Sequence, residues 1–256
     1  MSASIVLDCT GGIATLTLAS DNPRRPPTLD LPTLDRLDEV CAELERRATS
    51  LRLLWVRSAS PKFFCVGADI NALATINAGT IAPWVQRGHE VFNRLERLPL
   101  PTVARVEGFA LGGGLELAMA CDLIFAADTA QFGQTEARLG FVAGWGGSYR
   151  LPRRVGAAKA KELFFTARLL SAAQAAAIGL VEFAGSPEAL EHYCVRFAEE
   201  LAATSATSAV GHKHLVSRAP AAPLADVAAL EAAASVDCLS AVDTQQRLAE
   251  FLSRKR

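Results

Sequence analysis

The stretch that decides the fold is RVEGFALGGGLELAMACDLIFAADTAQFGQTEARLGFVAGWGGSYRL, residues 105–151. It is apolar and rich in glycine, and two glutamates, Glu116 and Glu136, stand isolated within it. A carboxylate in such surroundings is poorly hydrated, which raises its pKa, and two carboxylates that share a site cannot both ionise easily. The pair can therefore supply one base and one acid near neutral pH.

The overall composition limits the class of protein. The chain has 256 residues, of which 50% are hydrophobic and 21% charged, as expected for one globular unit with a core of ordinary size. Its net charge of −1 favours neither nucleic acid nor an anionic membrane as a partner. No apolar run approaches the roughly 20 residues that a membrane-spanning helix needs, and the N-terminus has no signal-peptide pattern.

The six cysteines and four histidines do not indicate a metal site. No cysteine pair has the spacing of a disulfide framework or of a zinc site, so the cysteines are interpreted as small buried hydrophobes. The segment His212-Lys213-His214 has no acidic or sulfur ligand beside it and is interpreted as a solvated helix face. A reducing, cytoplasmic location without a bound metal is the expectation.

Strand and helix patterns alternate along the first two thirds of the chain. β-prone or alternating apolar stretches predict strands over 5–9, 13–19, 53–57, 102–106 and 123–126. Helical spacing of apolar residues predicts helices over 31–48, 83–98 and 115–121. This alternation predicts an α/β core with largely parallel strand pairing. From about residue 188 the chain is rich in alanine, which predicts three or so helices packed on the core or on a neighbouring subunit.

The glycine triplet Gly112-Gly113-Gly114 precedes a predicted helix. Without side chains, backbone N–H groups can approach a ligand closely, and a helix N-terminus adds partial positive charge. The segment can therefore hold an anion or a developing oxyanion. A tight turn from strand to helix explains the glycines equally well, and Glu116 in the first turn can simply offset the helix dipole.

A second segment, FFCVGADI at 63–70, ends an apolar stretch with small residues. Asp69 in this segment can cap the following helix. Together with the glycine triplet, the segment offers a second backbone donor for the same oxygen atom.

These motifs resemble the crotonase superfamily, whose type member is enoyl-CoA hydratase. The matching blocks are residues 13–18, F-x-x-G-A-D-I at 64–70, A-L-G-G-G-x-E-L-A at 110–118, A-Q-F-G-Q-x-E at 130–136, G-G-S-Y-R-L at 146–151, V-G at 155–156 and S-A-x-x-A-x-x-x-G-L-V at 171–181. The resemblance implies an α/β fold, a crotonase-like spiral of ββα and βαβ turns with a helical C-terminal region. It assigns acyl-CoA binding and catalysis to residues 1–187 and oligomerisation, as a homotrimer or homohexamer, to residues 188–256.

The resemblance also implies a chemistry. Two backbone N–H groups, of Ala68 and Gly113, would hold the thioester oxygen; Glu116 would activate water, and Glu136 would exchange the proton at Cα. Because both glutamates are present, the expected reaction is reversible addition of water to a 2-enoyl-CoA, giving a 3-hydroxyacyl-CoA. No metal or redox cofactor is expected, since coenzyme A enters as part of the acyl-CoA substrate. An enoyl-CoA isomerase, a specialised hydroxyacyl-CoA dehydratase and a non-catalytic acyl-CoA-binding protein are the alternatives.

The expected substrate contacts include positions where the chain departs from the family pattern. They are Arg24, Thr28, Ala68, Asp69, Ile70 and Trp145. Arg24 keeps a base near its usual place and either contacts coenzyme A phosphates or is a solvated surface charge. Thr28 stands in place of a small family residue, and Asn71 replaces a common lysine. Trp145 either shapes the acyl pocket or packs beneath it.

Overall fold

The computed structural model describes residues 3–22 and 24–253. Ten strands occur in these residues: β1 Ser4–Thr10, β2 Ile13–Ala19, β3 Leu53–Ser58, β4 Phe63–Cys65, β5 Thr102–Val106, β6 Phe109–Leu111, β7 Leu123–Ala127, β8 Gln131–Gly133, β9 Leu170–Ser171 and β10 Phe183–Gly185. The same residues form eleven α-helices: α1 Leu31–Arg47, α2 Ile70–Leu73, α3 Ile81–Glu96, α4 Gly113–Met119, α5 Gly147–Val155, α6 Ala157–Thr166, α7 Ala172–Ala177, α8 Pro187–Ala202, α9 Ala206–Arg218, α10 Leu224–Ser240 and α11 Val242–Ser253.

The larger sheet confirms the predicted α/β core. Its strand order is β1-β2-β3-β5-β7-β10. Strands β1 and β2 form an antiparallel hairpin, whereas every later pair in this sheet is parallel. Parallel strands connected through helices are covered on both faces, which explains why the central strands β5 and β7 are almost fully buried.

A second, smaller sheet was not predicted. Its order is β4-β6-β8-β9, with β4, β6 and β8 mutually parallel. These three strands have only three residues each, too few for an alternating pattern to be recognised. Since parallel strands end at the same edge of a sheet, the chain segments that follow β4, β6 and β8 come together there.

The three predicted helices of the core are present, with shifted ends. Helix α1 begins after Asp30, whose side chain accepts a hydrogen bond from Thr33 N at 3.0 Å, and its buried face packs against α3. Helix α3 begins and ends two residues earlier than predicted. Helix α4 begins at Gly113 rather than at residue 115, so that the N–H of Gly113 is one of the first-turn donors that a helix leaves unpaired.

The C-terminal region has four α-helices, where the sequence predicted three or so. Helix α8 packs on the larger sheet through buried Leu190 and Cys194. Within the described part of the chain, no residue of helices α9, α10 and α11 is buried as a whole, although the Lys213 side chain is 6% exposed. Several large apolar side chains, including Leu224 and Val242, are more than two thirds exposed there.

Lys213 corrects the interpretation of the His212–His214 segment. The two histidines are exposed, but the Lys213 side chain is only 6% exposed, and its Nζ lies 2.9 Å from Asp122 Oδ2. Nζ also donates to Leu100 O at 3.0 Å. The Asp122 carboxylate in turn accepts hydrogen bonds from the N–H and hydroxyl of Thr102. This ion pair attaches α9 to the ends of β5 and β7.

Replacing Lys213 with Met is expected to destabilise the protein by about 2 kcal/mol, because it removes a charge-assisted hydrogen bond and leaves the Asp122 carboxylate, 28% exposed, without its cation. Thermal or urea unfolding measures the change. Arg196→Met, which removes a mostly exposed ion pair with Glu200, is the matched control and should change stability by less than about 1 kcal/mol. Equal stability of the two variants would contradict this role for Lys213.

The cysteine side chains are free thiols, and four of the six are buried. Burial raises the pKa of the Cys41, Cys65 and Cys121 thiols to about 12, so these groups act as apolar side chains, as predicted. No helix among the described residues has the length and hydrophobicity to cross a bilayer. Residues 3–22 and 24–253 contain no cluster of three or more histidine, cysteine or acidic residues suited to a metal ion.

Candidate active site

A cavity of about 240 Å³ lies where β4, β6 and β8 end. It has an apolar wall formed by Val66, Ile70, Leu73, Ile81, Trp84, Val85, Leu139, Phe141 and Val142. The remaining lining includes Glu116, Glu136 and the backbone of Ala68 and Gly113. The tertiary structure therefore brings together both glutamates and both predicted backbone donors.

Glu116 is held by a loop from another part of the chain. Its side chain turns into the protein, where the residue is 1% exposed. Oε1 accepts hydrogen bonds from Trp145 N at 2.8 Å and Gly147 N at 2.6 Å. Burial raises the pKa of this carboxyl, against the opposing effects of the two N–H groups and of the Arg150 charge. Because its donors belong to the loop of residues 145–147 and not to α4, Glu116 does more than offset the dipole of its own helix.

Glu136 begins the short 3₁₀ helix Glu136–Leu139, which closely follows β8. Burial raises the pKa of its carboxyl to about 7, and the negative charge of Glu116 acts in the same direction. Oε1 lies against the glycine turn, since a Cβ placed on Gly112 would be 3.3 Å from it. At neutral pH the group is therefore divided between its acid and base forms.

Gln134 is a site residue that the sequence interpretation did not identify. It is 1% exposed and comes just after β8. With its amide nitrogen turned toward Glu136, it donates to the two carboxylate oxygens at 2.9 and 3.1 Å. Gln134 is part of the matched block A-Q-F-G-Q-x-E at 130–136, but that block did not by itself indicate that the amide contacts the Glu136 carboxyl.

The backbone donors come from two loops in direct contact. Gly67 has φ +88°, and a Cβ on it would lie 2.8 Å from Gly113 N, so only glycine fits at this position. The next residue, Ala68, and Gly113 both line the cavity. No acceptor within residues 3–22 and 24–253 takes the N–H of either residue. Two such N–H groups on residues that line one cavity can bind a single oxyanion.

Comparisons with known proteins indicate one family over nearly the whole chain. Residues 8–256 match the family described as enoyl-CoA hydratase/isomerase. The chain belongs to this family. Among similar proteins is the short-chain-enoyl-CoA hydratase of Clostridium acetobutylicum, 33% identical over 99% of this chain and 96% of that protein. Methylglutaconyl-CoA hydratase of rat is 45% identical over 51% of this chain, a match that covers 42% of the rat protein.

A solved structure of a family member shows the same fold. The enoyl-CoA hydratase of Bacillus anthracis superposes with a TM-score of 0.90 at 31% identity, covering 98% of this chain and 96% of that one. The predicted crotonase fold is thus confirmed, including its helical C-terminal region. The chain belongs to the enzyme class of the enoyl-CoA hydratases.

Three of the expected substrate contacts of this family member lie outside the cavity lining. Asp69 caps α2, accepting from Asn71 N at 2.8 Å, and its other oxygen accepts from the Thr28 hydroxyl at 3.1 Å. Although burial acts to raise it, the pKa of Asp69 is lowered overall because these hydrogen bonds stabilise the charged form. Arg24 is exposed on the surface. Thr28 and Asp69 thus stabilise the loop that carries Ala68.

Trp145 both lines the cavity and packs beneath it, the two roles that the sequence left open. Its ring lines the cavity, yet it is only 3% exposed and packs against Trp84 and Phe92 with ring centroids 5.4 and 5.7 Å away. A Cβ on Gly113 would lie 2.6 Å from the ring. The side chain therefore packs against Gly113 at the start of α4, while the backbone N–H of Trp145 donates to Glu116.

Proposed function

We propose that this protein is an enoyl-CoA hydratase that reversibly adds water to a 2-enoyl-CoA, giving the 3-hydroxyacyl-CoA. The observation that carries the proposal is one apolar cavity into which two carboxyl groups and two unpaired backbone N–H groups converge. Family membership supports it, since the related proteins that match most of the chain are named as hydratases.

In the proposed reaction, the thioester oxygen accepts hydrogen bonds from the N–H groups of Ala68 and Gly113. Glu116, as the ionised base, takes a proton from water while the water oxygen bonds to C3. The π electrons move onto the thioester oxygen, and the two N–H groups stabilise the resulting enolate. Glu136, as the acid, then gives its proton to C2, and proton exchange between the carboxyls and solvent restores the starting state.

The protonation states support this division of roles. Glu116 accepts two backbone hydrogen bonds, which favour its ionised form. Burial raises the pKa of both carboxyls, that of Glu136 to about 7, so each group can hold a proton near neutral pH, and the hydrogen bonds to Glu116 are what assign the base role to it. Since the two charges interact, the measured pKa values belong to the pair.

The cavity favours a short acyl group. Its volume of about 240 Å³ lies below the roughly 300–1,000 Å³ of pockets that enclose drug-sized ligands, and its wall is apolar apart from the catalytic groups, Thr135 and His89. We propose short linear or branched 2-enoyl-CoA thioesters as substrates. The Arg24 side chain is exposed and precedes Thr28 by four residues, and we propose it as a contact for coenzyme A phosphates.

The direct test follows the loss of the conjugated-enoyl absorbance of crotonyl-CoA in the presence of the purified protein. Rapid loss, with the 3-hydroxy product identified by mass spectrometry, is the expected result. If crotonyl-CoA is inert, branched and aromatic 2-enoyl-CoA thioesters extend the test. Binding of all these thioesters without any product would contradict the proposal and support the non-catalytic alternative.

We further propose that the protein assembles as a homotrimer or homohexamer through residues 188–256. The exposed apolar residues of α10 and α11 support this assembly, because such surfaces usually mark interfaces. We propose that coenzyme A enters only as part of the substrate and that no further cofactor takes part. A cytoplasmic location is supported by the protonated, buried thiols.

A further inference from the structure

Arg150 is a buried cation next to the catalytic cavity that the proposed reaction does not use. Its side chain is 3% exposed. On one side, Nη2 donates to Glu96 at 2.6 Å and to Asn93 Oδ1 at 2.8 Å, and Nε donates to Glu96 at 3.1 Å. On the other side, Nη1 donates to Trp145 O at 3.0 Å. The guanidinium therefore ties the loop of residues 145–147 to helix α3.

That loop is the one that binds Glu116. The N–H groups of Trp145 and Gly147 both donate to Oε1. Between them, Gly146 lies directly on the guanidinium, since a Cβ placed there would be 2.1 Å from Arg150 Nη1. A shift of Arg150 must move the loop, and with it the two donors that orient the carboxylate.

The two oxygens of Glu116 are not equivalent. Oε1 has two donors, whereas no donor among the described residues, 3–22 and 24–253, reaches Oε2. Because Oε1 is held by two hydrogen bonds, the direction in which Oε2 points is also fixed. The oxygen without a protein partner is the one that can contact a reacting water.

We propose that Arg150 is a positioning residue for the hydration reaction. Its guanidinium holds the loop of residues 145–147, the loop pins Oε1 of Glu116, and Oε2 is left to take the proton from water. This inference rests on the proposed function and adds to it the groups that orient the base.

The charges around Glu116 make the role measurable. Arg150 from α5 acts to lower the pKa of Glu116, and Glu96 from α3 is the ion-pair partner of Arg150. The other titratable groups of the cavity are Glu136 and His89. Burial and the Arg150 charge lower the pKa of His89, so Arg150 is the cation that stabilises the Glu116 carboxylate.

The experiment compares Arg150→Gln, Arg150→Lys and Glu96→Gln by kcat, KM and the pH profile of kcat with an enoyl-CoA that the wild-type protein hydrates. Arg150→Gln should lower kcat by about 10–100-fold, since misplacing a catalytic group by about 1 Å costs up to about 10²-fold. KM should change by less than about threefold, because orientation of the base contributes little to ground-state binding.

The direction of the pH shift separates positioning from general damage. On the acid side of the pH profile, kcat falls as Glu116 becomes protonated. In Arg150→Gln this fall should occur at a pH higher by about half a unit or more, because the cation no longer favours ionised Glu116. Arg150→Lys keeps a positive charge and should lower kcat without shifting the pH profile. Glu96→Gln also keeps the cation and should not shift the acid side of the profile to higher pH. Arg153→Gln, at an exposed arginine three residues further along α5, is the matched control and should behave as wild type.

The inference would be wrong if folded Arg150→Gln had the kcat of the wild-type protein and the same fall of kcat at acid pH. It would also be wrong if the loss of activity were no larger than the loss of folded protein measured by circular dichroism. Infrared titration of the Glu116 carboxyl, identified by its loss in Glu116→Gln, gives a readout independent of turnover. If the wild-type protein hydrates no thioester, the proposed function fails, whereas an unchanged Glu116 titration in Arg150→Gln shows that the positioning inference fails.

Discussion

Glu116→Gln is expected to lower kcat for hydration by about 10³-fold, within the range of about 10²–10⁴ typical of general acid–base groups. The amide oxygen can still accept the hydrogen bonds that Trp145 N and Gly147 N donate to Oε1, so the loop should keep its place. What is lost is the group that takes a proton from water. Glu136→Gln should cause a loss of similar size, because an amide cannot donate a proton to C2.

The two variants also separate hydration from isomerisation. Moving a double bond between the 3 and 2 positions needs only one acid–base group, so Glu116→Gln should keep any isomerase activity while Glu136→Gln loses it. Steady-state rates with a 2-enoyl-CoA and a 3-enoyl-CoA measure both reactions. If Glu116→Gln hydrated at a rate near that of the wild-type protein, its assignment as the base would be wrong.

Gly67→Ala is expected to lower kcat by about 10²–10³-fold, the usual effect of losing one oxyanion donor. The new Cβ would be 2.8 Å from Gly113 N and 3.0 Å from Leu111 O. Relief of this contact must separate the Ala68 and Gly113 loops, and one oxygen atom can then no longer reach both N–H groups. Turnover of the enoyl-CoA, measured together with binding of the thioester product, reports the effect.

Backbone strain alone has to be separated from this steric effect. Gly67 has φ +88°, and Gly11 in the β1–β2 turn has φ +59° with nothing within 4 Å of a Cβ placed on it. Gly11→Ala therefore carries the strain, about 1–2 kcal/mol for a left-handed residue, without the contact. It should lose stability but keep its kcat; equal kcat in the two alanine variants would argue against the oxyanion role.

Much of the fold was predictable because long elements carry long patterns. Helix α1 and strand β2 repeat their apolar residues over several turns or alternations, and both lie where the sequence indicated. The three-residue strands of the smaller sheet have no such pattern. Their positions depend on how the larger elements before and after them pack, and a short stretch of sequence does not show that packing.

The C-terminal helices show the same limit. Their alanine-rich sequence predicts helix, but it specifies neither the number of breaks nor the partner. Lys213 illustrates this, since its neighbours are exposed while its own Nζ pairs with Asp122 across the fold. Nothing in the local sequence around Lys213 indicates that a carboxylate from another part of the chain pairs with it.

By itself, the sequence indicated the family, the α/β order of the core and the four residues proposed for catalysis, because the motif blocks at 64–70, 110–118 and 130–136 are retained in it and resemble those of the crotonase superfamily. Only the tertiary structure decided which atoms of these residues meet and which hydrogen bonds orient them. The hydrogen bonds that orient Glu116 join residues 29 and 31 positions apart, and the ion pair that supports them joins residues 54 positions apart. Contacts at such separations depend on how the elements pack, so the hydrogen bonds of Arg150 could not be recognised from its neighbours in the chain, although Arg150 belongs to a matched block, residues 146–151.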